Sequence, residues 1–269
     1  MLPDTDKVAD IIREVAAEEI VPRFRALTDG EISEKKPGDL VTVADIEAER
    51  ALCRALGDLV PGAALIGEEQ AENTPQLIDA LAGTEPVWVI DPVDGTLNFV
   101  RGNPCFAVIL AYCEGGKTRA GWIYDPLSRS MVSTVAGEGA WEDGRRLRTA
   151  RGETLAKMVG SLGSGPRKRL ARRLKAGARG LPRKVLRYGC VGREYMDLAR
   201  GRLHFARYAN RLKPWDHAAG VLIHEEAGGF SGLLDDAGVY APKTGIVYGT
   251  LLLAPDEASW QSLRILLAD

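Results

Sequence analysis

Two aspartates three residues apart end a short apolar run in VWVIDPVDGTLNF, residues 87–99, and raise the first chemical question in this chain. Val87, Trp88, Val89 and Ile90 read as a strand buried on both faces. Strands of that kind deliver ligand-binding groups at their carboxyl ends. Here the strand is expected to stop at Asp91, with Pro92 and Val93 stiffening a turn into Asp94. Gly95 and Thr96 then stand where the backbone must come close to something. Two carboxylates aimed at one point repel unless a cation lies between them. The plainer alternative is that both only turn the chain, because Asp-Pro and Asp-Gly are common turn dipeptides.

Three other acidic placements bear on that choice. Glu68 and Glu69 follow the short run Ile66-Gly67, Asp45 falls in the first turn of a helix predicted over residues 42–59, and Asp216 opens a helix predicted from Pro214. Each has a structural explanation of its own. Glu68-Glu69 suits a solvated loop, Thr42-x-x-Asp45 is a capping box, and Asp216 complements a helix dipole.

The four elements together resemble the inositol monophosphatase family in order and spacing. They are K-x-G-D-L-V-T-x-A-D (36–45), I-G-E-E (66–69), W-V-I-D-P-V-D-G-T-x-N-F (88–99) and P-W-D-H-A-A-G (214–220). The resemblance implies a layered α-β-α-β-α sandwich of the inositol monophosphatase and fructose-1,6-bisphosphatase type, and a Mg2+-dependent, lithium-sensitive phosphomonoesterase. It implies that Glu68, Asp91 and the Val93 carbonyl hold a first Mg2+, that Asp91, Asp94 and Asp216 hold a second, and that a third, weaker ion sits near Glu68. Oxygen ligands suit hard magnesium. Gly95 and Thr96 would grip the phosphate through their amides, beside the ligands Asp94 and Asp216. Thr96 and Asp45, with Glu68, would orient and deprotonate an attacking water. The resemblance also implies a homodimer acting on a small phosphorylated metabolite.

One position departs from the family's pattern. Relatives that take inositol phosphates carry an acidic residue seven places before the aspartate of Trp-Asp, and Ala209 stands there. Arg207 and Arg211 flank it and could draw a second anionic group, or be solvated surface charges. Fructose bisphosphate, histidinol phosphate and adenosine bisphosphate are substrates elsewhere in the family, so inositol phosphate is one candidate among several.

The elements that must position these residues follow from periodicity. A helix is predicted over residues 4–24, ending at Pro22, then a polar, mobile stretch containing SEKKPGD. Strands are predicted at 106–112, 122–124, 131–135 and 139–141, with a hairpin turn at Asp143-Gly144. The second part should contain a short basic helix around Leu170 and Leu174, strands at 185–188, 203–208 and 247–253, and helices at 194–200, 214–228 and 255–267. The expectation is one domain over 1–269, with 1–150 carrying the metal and phosphate site and 151–269 a second sheet.

Bulk composition narrows the class. With 45% hydrophobic and 27% charged residues and a net charge of −2, the chain reads as an ordinary globular protein with no global pull toward nucleic acid or membrane. Residues 167–187 are locally basic and motivate a rival reading as a regulatory protein that binds RNA or protein. The four cysteines lack paired spacing and read as reduced, buried thiols. The acidic start has no signal-peptide pattern, so the cytoplasm is expected.

Overall fold

The computed structural model describes residues 2–234 and 238–267. Helix α1 (Thr5–Val15) begins at Asp4, whose carboxylate accepts hydrogen bonds from the Asp6 and Lys7 amides. The helix widens into a π-helical turn at Ala16–Ile20 and tightens around Pro22 at Val21–Arg23. The stretch expected to be mobile forms a hairpin instead, β1 (Ile32–Lys36) and β2 (Asp39–Thr42). Its charges have distant partners that local sequence cannot reveal. Lys35 Nζ lies 3.0 Å from Glu69 Oε1, and Lys36 Nζ 3.1 Å from Glu72 Oε2.

The chain continues through α2 (Val43–Leu59), β3 (Ala64–Gly67), α3 (Glu68–Asn73), β4 (Val87–Asp94) and α4 (Thr96–Val100). Five strands follow in an antiparallel meander: β5 (Ala107–Glu114), β6 (Lys117–Asp125), β7 (Ser130–Val135), β8 (Gly139–Glu142) and β9 (Arg145–Arg146). Asp143 and Gly144 have φ of 47° and 81°, the positive values that a tight hairpin turn requires. The remainder holds β10 (Val159–Leu162), α5 (Ser164–Lys175), β11 (Lys184–Leu186), α6 (Val191–Ala199), β12 (Phe205–Leu212), α7 (Pro214–Glu226), β13 (Phe230–Leu233), β14 (Val247–Ala254) and α8 (Glu257–Leu267).

Two large sheets result. The first has the order β3-β4-β5-β6-β7-β8-β9, with only β3 and β4 parallel; the second has the order β11-β10-β12-β14-β13. Alternation along single strands shows how the layers stack. In β4, Trp88 and Ile90 pack with α1 and α2, whereas Val87 and Val89 join the cluster containing Tyr195 of α6 and Trp215 of α7. In β14, Leu251 and Leu253 face that same α6–α7 layer, while Leu252 and Ala254 pack on Trp260 and Leu263 of α8. The layers are therefore α1/α2, first sheet, α6/α7, second sheet, and α5/α8: the expected α-β-α-β-α sandwich. Six of the twelve α5 residues are basic. Of its two leucines, Leu170 is buried but Leu174 stays 60% exposed.

Among the four cysteines, all free thiols, Cys53, Cys113 and Cys190 are buried and Cys105 is only half-buried, where full burial of all four was expected. No described helix is long and apolar enough to cross a membrane.

Candidate active site

The predicted stop at Asp91 is not where β4 ends. The strand runs on to Asp94, pairing Asp91 with Ile109 and Asp94 with Ala107, so β4 uses one residue more than β5 over that interval. This is a bulge. In a regular strand, residues three apart face opposite sides. The extra residue cancels that parity and turns both aspartates toward one region. The Val93 amide donates to Asp91 Oδ1 at 3.1 Å, so the aspartate also shapes the local backbone. The segment therefore shapes its own backbone, as the turn reading expects.

Glu68 is the first residue of α3, directly after β3. Its position is set by Glu49 of α2, a residue the sequence reading passed over. Glu49 is 3% exposed, and its carboxylate accepts hydrogen bonds from the Glu69 amide (2.7 Å) and the Gln70 amide (3.0 Å). A side chain at Gly67 would put its Cβ 2.1 Å from Glu49 Cδ, which explains the glycine. Glu49 lies four residues after Asp45 on the same helix face, a spacing that sequence reasoning could have used.

Asp216 reaches the site from the first turn of α7. One carboxylate oxygen each from Glu68, Asp91 and Asp216 lie within 4.8 Å of one another. Asp94 stays outside this trio. Its Oδ2 accepts hydrogen bonds from Cys190 Sγ (2.9 Å) and the Gly192 amide (2.6 Å). Both donors lie almost a hundred residues away, and no spacing in the sequence announces them. Burial raises the Asp91 and Asp94 carboxyls above the usual carboxylate range, and the Glu68 charge pushes both further. Asp216 is raised by burial and then by Glu68, against the pull of Lys213. Lys213 Nζ lies 3.1 Å from Glu68 Oε1. Burial opposes its charge, but Glu68 and Asp216 outweigh burial and hold its pKa above the ordinary lysine value.

Beside the trio, Asp45 serves two purposes at once. Its Oδ2 accepts from the Thr42 amide (2.9 Å) and hydroxyl (2.5 Å), completing the expected capping box, while its Oδ1 accepts from the Thr96 hydroxyl at 3.1 Å. Thr96 Oγ1 also lies 3.1 Å from the Val93 carbonyl oxygen. Burial lifts Asp45 to a pKa of about 6. Gly95 precedes α4 with φ +92°. Asn98 fastens α4 by donating through Nδ2 to the Cys105 (2.8 Å) and Tyr188 (3.0 Å) carbonyls.

Arg207, Ala209 and Arg211 of β12 line a cavity of about 310 Å³ that also borders Asp94 and Asp216. Gly95 and Thr96 line a neighbouring cavity of about 450 Å³, and Arg187 and Gly189 border both. His217 is fully enclosed, with Nδ1 3.0 Å from the Tyr195 hydroxyl, and burial pushes its pKa down to about 3.

The model of the inositol monophosphatase family matches residues 4–265. The chain belongs to the inositol monophosphatase family. Within that family, an inositol-1-monophosphatase named SuhB from Mycobacterium tuberculosis is 37% identical over 208 residues, spanning 74% of this chain and 71% of the relative. A fructose-1,6-bisphosphatase/inositol-1-monophosphatase from Thermotoga maritima is 33% identical over 200 residues, 73% of each chain. The solved structure of an IMPase from Thermotoga maritima superposes with a TM-score of 0.79 at 25% identity, covering 97% of this chain and 95% of that one. Family and relatives mark a phosphatase. Their names differ in substrate.

The raised carboxyls carry a testable consequence for the inositol monophosphatase-family chain without metal. Burial lifts Glu49 and Glu69 to about 7 and Asp45 to about 6. Between those values and the ordinary carboxylate range near 4, the folded state holds protons that the unfolded chain has released. Stability is then greatest at the acidic end of this window and is lost as pH rises through 6 to 7. In a chelating buffer the melting temperature should be higher at about pH 5.5 than at about pH 8. A melting temperature that climbs over this range would contradict the burial of these groups.

Proposed function

We propose that the protein hydrolyses a phosphate monoester of a small metabolite in a Mg2+-dependent reaction, giving orthophosphate and an alcohol. The convergence of Glu68, Asp91 and Asp216 beside the Thr96–Asp45 hydrogen bond carries this reading. The donors are all oxygens, and buried carboxylates this close are relieved by a hard divalent cation. Glu68, Asp91 and the Val93 carbonyl would hold one Mg2+, Asp91, Asp94 and Asp216 a second, and a third, weaker ion would lie near Glu68. Bound there, Mg2+ supplies Lewis-acid charge against the phosphoryl oxygens and makes a water more acidic.

The chain's own groups do the rest. Asp45 Oδ1 fixes the Thr96 hydroxyl, and the pair orients the attacking water and accepts its proton. A buried carboxyl with a pKa of about 6 is better matched to that task near neutral pH than an exposed aspartate. The Gly95 and Thr96 amides donate to the phosphoryl oxygens, where charge builds in the transition state. The water oxygen bonds to phosphorus as the opposite P–O bond breaks; the leaving alkoxide takes a proton from solvent water and departs as the alcohol toward the cavity lined by β12, and Asp45 returns its proton to solvent.

A panel of soluble phosphate monoesters, assayed for released orthophosphate, tests the reading. Release should require Mg2+, vanish in EDTA, return when Mg2+ is restored, and fall with added lithium as the family resemblance implies. Release that persists undiminished in EDTA overturns the reading.

A further inference from the structure

The cavity on the leaving-alcohol side carries three arginines on its wall, beside the carboxylates of Asp94, Glu194 and Asp216. Three arginines from two separate parts of the chain meet there: Arg187, between β11 and α6, and Arg207 and Arg211 of β12. Asn210, between the two, has φ of 80°, so β12 does not alternate regularly here and residues of both parities reach the cavity. Arg207, Ala209 and Arg211 all border the cavity, and Ala209 brings no side chain beyond Cβ between the two arginines. Arg187 and Arg211 are exposed at the rim, and neither has an ion-pair partner among the described residues. Glu194, the acidic group on the cavity wall besides Asp94 and Asp216, is already engaged, since its Oε1 accepts from the Ser161 hydroxyl at 2.5 Å. Burial raises its pKa to about 7, so at neutral pH a share of it is uncharged.

We propose that the physiological substrate carries a second anionic group, a carboxylate or a second phosphate, on the alcohol being released, and that Arg187 and Arg211 hold it. This rests on the phosphatase reading above and names the substrate class for the same site. Arg187 borders the phosphate-side cavity as well, so it stands where the two anionic ends of one ligand would meet the protein. Guanidinium groups pair bidentately with carboxylate and phosphate, and the fork geometry selects these anions over hydroxyls. The scissile end is recognised by Gly95, Thr96 and the carboxylate site; the far end is recognised by positive charge.

Matched substrate pairs test this. 3-Phosphoglycerate is compared with glycerol 3-phosphate, and fructose 1,6-bisphosphate with fructose 1-phosphate, so that each pair differs by one anionic group. The two pairs also separate a carboxylate from a phosphate at the far end. In at least one pair, kcat/KM should favour the doubly anionic ester by about tenfold or more. Arg187→Gln and Arg211→Gln should each lower that ratio by about tenfold. Ala209→Asp should lower it too, by placing a negative charge between the arginines. Because the ratio is internal to each preparation, partial misfolding cancels. Equal rates within both pairs, or variants that slow both members of a pair by a common factor, overturn the second-anion site and leave the phosphatase reading standing. Absence of Mg2+-dependent release from every ester overturns the phosphatase reading itself and this inference with it.

Discussion

Asp91→Asn should lower phosphate release by at least about a thousandfold and yet raise the melting temperature of the metal-free protein. Asp91 is 2% exposed, sits at the bulge of β4, and shares its surroundings with the carboxylates of Glu68 and Asp216. Asparagine keeps the shape and the bond to the Val93 amide but brings no charge. Without metal, the substitution removes repulsion in a site where an ionised carboxylate is expensive. Each kcal/mol relieved is worth about 2–4 °C in a chain of this size. With Mg2+ present the order should reverse, because the wild type gains binding energy that the variant lacks. Thermal melts in EDTA and in Mg2+, run beside the release assay, read both effects. A variant that melts lower than the wild type in EDTA would show that Asp91 is held by favourable contacts, and the account of a strained carboxylate cluster would fall.

The second large effect is expected from Gly95→Ala. Gly95 has φ +92°, a conformation that costs alanine about 1 kcal/mol. An added Cβ would also lie 3.0 Å from the Cys105 carbonyl oxygen, 3.1 Å from Cys190 Cβ and 3.2 Å from the Gly189 carbonyl oxygen. Backbone carbonyls cannot swing aside as a flexible side chain would, so α4 must move instead. That movement carries off the Gly95 and Thr96 amides and the Thr96–Asp45 hydrogen bond. Displacements of about 1 Å in positioning groups cost about a hundredfold in rate, and the smaller shift that these contacts require is expected to lower kcat/KM by about tenfold. Gly62→Ala provides the control. Gly62 has φ +88° but nothing within 4 Å of an added Cβ, so it bears the same backbone strain without the collision. It should lose stability and retain activity. Equal activity losses in the two variants would mean that Gly95 matters only for its backbone angle.

Much of the architecture could be read directly, because its signals are local. The run of residues 87–90 is apolar at every position because both faces of β4 are covered, by α1 and α2 on one side and α6 and α7 on the other. The α2 cap and the Asp143-Gly144 turn are written in a few adjacent residues. The hairpin β1–β2 was misread as mobile because its lysines find Glu69 and Glu72 more than thirty residues away. β10 and β13 were missed altogether. Each has only four residues, too few to show a period, and gains its definition from the strands beside it.

For the site, the sequence alone determined which chemical groups are available and, through four spaced motifs, the family to which they belong. Oxygen donors, the glycine before Thr96 and the alanine at 209 are facts of composition at fixed positions, and no folding alters them. Only the tertiary structure decided how these groups meet. It brings Glu68, Asp91 and Asp216 within 4.8 Å, turns Asp94 toward Cys190 and Gly192, and sets Glu49 under α3. It also carries Arg187 across from another part of the chain to join Arg207 and Arg211. The reason is physical. Residue type sets what a side chain can bond, but a bulge, a helix start or a distant thiol sets where its charge points, and those depend on packing between segments that are strangers in sequence.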